Sequence, residues 1–473
     1  MEVWKYRGIE KMKKIFSLFL ALLFTTNIFA GDYSKNNPMN AKLFKEIQQK
    51  EGTKITIKEA IKIALKDSYQ VYSANKMKEI SDEIYNQMKS SYYPYVDFNA
   101  SYNRALLKTK ALASVDGEEK MVEATIANNT YTAQLQANWV LWTGGKVKNT
   151  KEYGKLQAEQ ADYKLKDANT AIAKQVTQFC YLIIYASALV HVQETYLDIA
   201  NQHLAETKAR YKQGLSSNLD VLTQEVRVNN IVPQLLQAQK NVELATLHLR
   251  QILNKDPEMP IYLTWIEEDL ALPPTKDLQQ LYNMAYERRP ELIVAKLSAD
   301  IAEANYKIAK ADHYPNLSAY GNYGYYGYTK EGLPDGNHYY WGSNIGLQFS
   351  MPIFKGFSIS SQIKQKEMYY ENAKESYENL KKNVRIQVKD AWLNLEEAKK
   401  RIESTKGVVE QAQENLNSKM LRYRNGLISQ LELNDAISDL NDSNLTFVQA
   451  VHDAHVALSD LNYAVGMETE DYE

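Results

Sequence analysis

Glu432 and Asp435 stand three residues apart, and they are the clearest candidates for chemistry in the chain. On a helix that spacing puts both carboxylates on one face, where they either attract a cation or stand as a solvated charge pair. His452 and His455 repeat the spacing with Asp453 between them, a pattern able to bind metal. No third ligand accompanies them, and no metal site is assigned. Cys180 is the single cysteine and lies in the apolar run from Phe179 to Ile184. One thiol excludes an internal disulfide and any Cys-rich metal site, and its surroundings predict a buried, inert group. Glu118 and Glu119 sit in a polar loop and read as solvated surface. There is no nucleophile–base arrangement, phosphate loop or dinucleotide fingerprint, so the sequence offers neither an enzyme nor a cofactor.

The elements that must position Glu432 and Asp435 occur twice. Arg210-Tyr211-Lys212-Gln213-Gly214-Leu215 returns 212 residues later as Arg422-Tyr423-Arg424-Asn425-Gly426-Leu427. Trp142-Thr143-Gly144-Gly145 returns as Phe354-Lys355-Gly356-Phe357 at the same interval. Tyr93-Pro94 answers Tyr314-Pro315 at 221, which places about nine extra residues in one loop of the first half. A repeat of this size is too long for a solenoid unit. It predicts two copies of one half: a helix, a strand pair and a long helix pair. The halves are residues 31–270 and 271–473, after a leader at 1–30. Pro257, Pro260, Pro273 and Pro274 mark the link between them.

No proline falls between Pro94 and Pro233, or after Pro352. These stretches are rich in Ala, Gln, Lys, Glu and Leu, which are strong helix formers. Tyr377, Leu380, Val384, Val388, Ala391, Leu395 and Ala398 follow mostly three- and four-residue steps, one apolar stripe along a continuous helix. About 64 residues at ~1.5 Å each make a rod of roughly 95 Å. Gly214 and Gly426 end the rods, because glycine accepts the left-handed conformation of a C-terminal cap. Returning helices follow at about 218–254 and 430–465, with Pro233 expected to kink or break the first. Single shorter helices are expected from Ile57 to Ser90 and from Asp277 to Ala311.

Four segments change to a period of two: Val96–Tyr102, Tyr131–Leu141, Leu317–Tyr323 and Trp341–Met351. Apolar residues alternate with Asp, Asn, Gln, Ser and Thr, as in strands that cross a bilayer in a barrel, although a half-buried soluble sheet alternates too. Trp139, Trp142, Tyr339, Tyr340 and Trp341 load the segment ends with rings suited to a lipid–water boundary. Lys11, Lys13 and Lys14 precede the apolar run Ile15–Phe24, and Ala30 offers a cleavage point, the order of a secretory signal peptide. Met12 is an alternative start. No long apolar segment is expected beyond residue 30, so entry into a membrane would require a barrel. Four strands cannot close one, since the smallest ordinary barrels have about eight. The chain must therefore pool strands with further copies. A net charge of −2 gives no electrostatic case for nucleic acid.

Ile55-Thr56-Ile57-Lys58-Glu59-Ala60, Arg289-Pro290-Glu291-Leu292, the Tyr-Pro pairs and the two Arg-Tyr-x-x-Gly-Leu turns together resemble the outer membrane efflux protein family of TolC-like channels. The likeness spans essentially the whole mature chain. It implies a mainly α protein with transmembrane β: a homotrimer whose three chains build a 12-stranded barrel over an α-helical periplasmic tunnel. It implies a passive exit duct for a tripartite efflux pump or type I secretion system, opened by a periplasmic adaptor and an RND or ABC transporter of the inner membrane. Gly214, Leu215, Ser216, Gly426, Leu427 and Ile428 correspond to the adaptor-docking tips. Glu432 and Asp435 match acidic residues of the periplasmic constriction, which threefold symmetry would turn into carboxylate rings. Asp220 and Tyr423 match residues of the closed gate. The arginine expected two residues after the second turn glycine is Ile428, so the family's closing latch is altered. The leader has no cysteine at its cleavage point, so the lipid attachment common among relatives is not expected. A soluble periplasmic coiled-coil scaffold is the other architecture compatible with the pattern. The cargo is not legible.

Overall fold

The computed structural model describes residues 52–106, 110–115, 118–123, 129–264, 272–274, 276–329, 332 and 338–467. The expected signal peptide, its alternative start and the acidic tail beyond residue 467 lie outside the described residues. The long helices are α3 (Lys146–Lys212) and α7 (Ser358–Arg424), each of 67 residues. The returning helices are α4 (Asn218–Ile252) and α8 (Gln430–Ala464), each of 35. All four bounds repeat at the 212-residue interval of the turn motifs. The helix α4 continues through Pro233, so of the kink or break expected there the break does not occur.

The opening helices are each two rather than one: α1 (Ile57–Asp67) and α2 (Tyr69–Ser90), then α5 (Leu278–Arg288) and α6 (Pro290–Ala311). Ser68 caps α2 by accepting from the Gln70 N–H at 3.2 Å. In the second half Pro290 does the same job differently. It has no N–H to leave unpaired and holds Arg289 extended at ψ 114°. Both breaks fall at the 221-residue interval, so the repeat preserves a break that neither sequence advertises in the same way.

Strands β2 (Tyr95–Arg104), β5 (Asn129–Trp142), β7 (Asn316–Thr329) and β8 (Tyr339–Ser350) form one antiparallel sheet in the order β2-β5-β7-β8. The register aligns Phe98, Leu135 and Tyr323 across it, and likewise Ala319 with Leu347 and Gly321 with Ile345. Because strand side chains alternate faces, the four apolar alternations share one face and most of the Asn, Gln, Ser and Thr positions the other, while Ser343 and the Arg104, Asn129 and Thr329 level fall on the apolar face. Val96, Phe98, Leu135, Ile345, Leu347 and Phe349 are all exposed on the apolar face. A bulge between Val140 and Trp142 returns Trp142 to it. Two small pairings had no sequence signal: β1 (Thr53–Ile55) lies parallel to β6 (Ile261–Leu263), and the loop after β2 holds the hairpin β3 (Lys110–Val115) and β4 (Glu118–Glu123).

The described chain gathers into two compact units that cut across the repeats. One holds residues up to Ile63, Gln175–Thr275 and Asn394–Ser459; the other holds Ala64–Lys174, Lys276–Leu393 and the segment from Asp460. The first contains both hairpin turns and the second the four-stranded sheet. One helix, α3, is long and apolar enough in one stretch to cross a membrane by length and composition, against the expectation of no such segment. Half of that stretch is buried, and its flank Ile172, Val176, Cys180, Ile184 and Ala188 is a helical core stripe. Cys180 is fully buried, which pushes its thiol pKa up.

Candidate functional site

Both hairpin turns are built by the same local chemistry. Gly214 and Gly426 take φ of 75° and 70°, a conformation that disfavours any residue with a Cβ. Leu215 N–H donates to the Arg210 carbonyl and Leu427 N–H to the Arg422 carbonyl, each at 2.9 Å. The glycine N–H groups reach the carbonyls of Tyr211 and Tyr423, also at 2.9 Å. This six-to-one and five-to-two pair satisfies the last carbonyls of each long helix. Leu215 and Leu427, 65% and 72% exposed, are left projecting from the turns with Leu219 and Leu431 beside them, also exposed.

The carboxylates nearest the turns belong to helix caps. Ser217 Oγ accepts from the Asp220 N–H at 3.1 Å while Asp220 Oδ2 accepts from the Ser217 N–H at 2.8 Å. Ser216 Oγ adds a bond to the same oxygen at 2.9 Å. These donors hold the Asp220 carboxyl below its usual pKa, Ser217 contributing most. Glu432 occupies the equivalent third position of α8. Its Oε1 lies 3.1 Å from Ser429 Oγ and its N–H donates back to that hydroxyl at 3.3 Å. Each is the acidic half of a reciprocal capping box, and each suits the positive end of a helix dipole. Asp435 lies one turn further along α8; both it and Glu432 are exposed.

The two turns are tied together inside their unit. Arg210 on α3 stacks on the Tyr423 ring at 5.0 Å from the centroid and reaches the Tyr423 carbonyl at 3.5 Å. His203 meets the same ring edge-on at 5.2 Å. His203 is buried, which pushes its pKa down against the opposing pull of Glu206, with Arg227 and Arg210 lowering it further. Gln430 Nε2 donates to the Asp220 carbonyl at 3.1 Å, and Arg424 Nε to Glu206 at 3.2 Å. Deeper in, Gln224 donates to Asn434 Oδ1 at 3.1 Å, and Arg227 reaches the Asn434 carbonyl at 2.9 Å, the Tyr196 hydroxyl at 3.3 Å and the Ser438 hydroxyl.

Sequence reading missed this cross-helix network. Its only trace was polar residues, Gln224 and Asn434, at positions that prove buried. Ile428 is half-buried and packs on the cluster of Leu416, Tyr423, Leu433, Ala436, Ile437 and Leu440. Ile428 is thus part of the apolar packing of the second hairpin. His455 stacks on Tyr181 at 4.3 Å and His452 lies against Tyr185 at 4.7 Å, so both imidazoles pack against aromatic rings of α3.

In the other unit the aromatic residues separate by face. Trp139, Trp142, Tyr339 and Trp341 lie on the apolar face, and Trp341 packs on Tyr323 and Tyr325 at 5.1 and 5.0 Å. The register turns Tyr340 to the polar face beside Tyr326.

Against known proteins, the family model described as outer membrane efflux protein matches residues 60–255 and 281–467. The outer membrane protein TolC of Vibrio cholerae is 20% identical over 402 residues, covering 85% of this chain and 88% of TolC. The outer membrane efflux protein BepC of Brucella suis is 24% identical over 421 residues, covering 88% and 86%. Among solved structures, CusC superposes with a TM-score of 0.73 at 18% identity, covering 93% of this chain and 99% of CusC. The outer membrane protein VceC of Vibrio cholerae gives 0.72 at 18%, covering 87% and 96%. The chain belongs to the outer membrane efflux protein family: it is an outer-membrane channel protein.

Proposed function

We propose that three copies of this chain form a passive exit duct, a 12-stranded barrel continued by a helical periplasmic tunnel, serving a tripartite efflux pump or a type I secretion system. The observation that carries this reading is the four-stranded sheet with an exposed apolar face and two edge strands, β2 and β8, that pair on one side only among the described residues. In lipid each unpaired backbone group costs several kcal/mol, and joining β8 of one copy to β2 of the next removes every edge. The aromatic rows fit a bilayer. Ten register steps separate the Tyr131–Gly327 level from the Trp142–Leu317 level. At ~3.4 Å per residue and a tilt of ~40°, the rows stand roughly 26 Å apart, near the ~25 Å apolar band of such barrels. The exposed apolar residues Leu219, Leu222, Val226 and Leu236 along α4 supply a helical face for the neighbouring copy.

In this duct Leu215, Leu427 and their turns dock an adaptor coupled to an RND or ABC transporter, and Glu432 and Asp435 form carboxylate rings at the periplasmic gate. Crowded like charges in such rings favour cation binding. Because Glu432 also caps α8, the informative variant keeps an acceptor there. Glu432→Gln with Asp435→Asn should preserve the fold, raise conductance in planar bilayers and weaken block by trivalent cations. Unchanged block in that double variant rules out the rings. A monodisperse, detergent-free monomer of the wild type rules out the duct itself.

A further inference from the structure

The polar face of the sheet carries more aromatic surface than its amide and hydroxyl neighbours require. Tyr320, Tyr326, Tyr328 and Tyr340 all lie on it, by register with Asn138, Thr132, Thr130 and Tyr326 respectively. The rings of Tyr320 and Tyr326 lean over the neighbouring strand. A Cβ added at Gly346 would fall 2.5 Å from Tyr320 Cζ, and one at Gly342 would fall 3.2 Å from Tyr326 Cε2. These glycines therefore leave room for the two rings to reach over the neighbouring strand, the arrangement in which an aromatic covers a bare backbone. Tyr340 stacks on Tyr326 at 5.3 Å and 20°, and lies near-parallel to Tyr328 at 6.1 Å and 10°. The Tyr326 hydroxyl is fixed by donating to Gln134 at 2.8 Å.

Tyr328 and Tyr340 are 38% and 52% exposed, and the electron-rich face of an exposed ring attracts cations. The charge of the surface agrees. Among the described strand residues of this face Asp97 is the only charged side chain, with no lysine or arginine. Extended over three copies, the surface becomes a wall of tyrosine faces and amides with a ring of carboxylates. On those strand residues nothing repels a cation, and the exposed rings suit a planar or quaternary organic cation better than a hydrated metal ion.

We propose that this tyrosine-paved face is a low-affinity binding surface for organic cations, centred on Tyr326, Tyr328 and Tyr340. Its placement inside the duct rests on the channel reading above. The test is saturation-transfer NMR on the full chain in detergent with benzyltrimethylammonium, using benzenesulfonate as an aromatic probe of opposite charge. Wild type should bind the cation and not the anion. Changing Tyr326, Tyr328 and Tyr340 together to Phe should retain binding within about twofold, and changing them to Leu should weaken it roughly tenfold, the sum expected of a few exposed cation–π contacts. Equal binding of both ions, or undiminished binding by the leucine variant, overturns the proposal. Should the leucine variant fail to assemble, the contrast between the two ions on wild type decides. Single-channel recording separates this from the duct: no conductance with ring-dependent binding sinks the channel reading and upholds the site. Normal conductance with charge-indifferent binding sinks the site alone.

Discussion

The two Arg-Tyr-x-x-Gly-Leu turns share a backbone and differ in what their side chains do. Their glycines agree within a few degrees of φ and their capping bonds have the same lengths, yet Tyr211 is 47% exposed and Tyr423 is 6% exposed. Arg210 stacks on Tyr423, whereas its counterpart Arg422 is exposed. A duplicated sequence therefore fixes two hairpins of one length, and the network that joins them is asymmetric. The first turn lends its arginine to the tyrosine of the second. The same division appears at the strand-to-helix corners. Gly144 and Gly356 take φ of 61° and 58°, and the next residues, Gly145 and Phe357, take 88° and 63°. Only Gly144 is hemmed in: a Cβ there would lie 2.4 Å from Tyr314 Cβ, while none at Gly356 meets anything within 4 Å.

The largest expected effect separates the two tyrosines. Tyr423→Ala removes a buried ring and the surface on which Arg210 and His203 rest, and should destabilise the turns by about 3 kcal/mol, the lower end for aromatic truncation in a core. Tyr211→Ala should stay within ~0.5 kcal/mol, as exposed positions do. Hydrogen exchange over residues 412–428 reads the difference, and equal loss of protection in both variants would show that burial in one chain does not set the balance. Next comes the pair of corners. Gly144→Ala meets both the left-handed backbone and the Tyr314 side chain, and should cost ~3 kcal/mol or block assembly. Gly356→Ala meets the backbone alone, at about 1–2 kcal/mol. Thermal stability of the detergent-solubilised protein distinguishes them, and similar losses would mean that the Tyr314 contact relaxes freely.

The sequence disclosed whatever is periodic. Helix limits were legible because Gly214 and Gly426 stop both rods at a shared interval, and the sheet because its alternation survives over ten or more residues. Pairings of three residues, such as Thr53–Ile55 with Ile261–Leu263, are too short to show a period. The opposite fates of Tyr211 and Tyr423 were illegible for a different reason. Identical local motifs carry no information about a neighbour 213 residues away in the chain. Asp220 and Glu432 are an instructive middle case. Ser217-Asn218-Leu219-Asp220 and Ser429-Gln430-Leu431-Glu432 have the capping-box spacing in plain view, but charge near a turn was read through the pore and not through the helix end.

That middle case gives the smallest and sharpest test of the asymmetry. Ser217→Ala and Ser429→Ala should each cost about 1 kcal/mol, as loss of an N-cap does, and the first cap should also answer acid. Asp220 carries three bonds to its carboxylate oxygen or backbone from Ser216 and Ser217, and its pKa in the folded chain lies below the ordinary value of ~3.9. A depressed carboxyl pKa stabilises the fold fully above the unfolded value and loses that stabilisation as pH falls through the folded one. Protection of the first turn of α4 should therefore hold to about pH 4 and fall below it, and Asp220→Asn should flatten the dependence. Ser217→Ala should flatten it only in part, because it removes the hydroxyl and keeps the Ser217 backbone N–H, the largest source of the shift. An acid profile unmoved by either change would place the first turn's stability in Gln430 and the packing beneath it, making the two hairpins more alike than their side chains indicate.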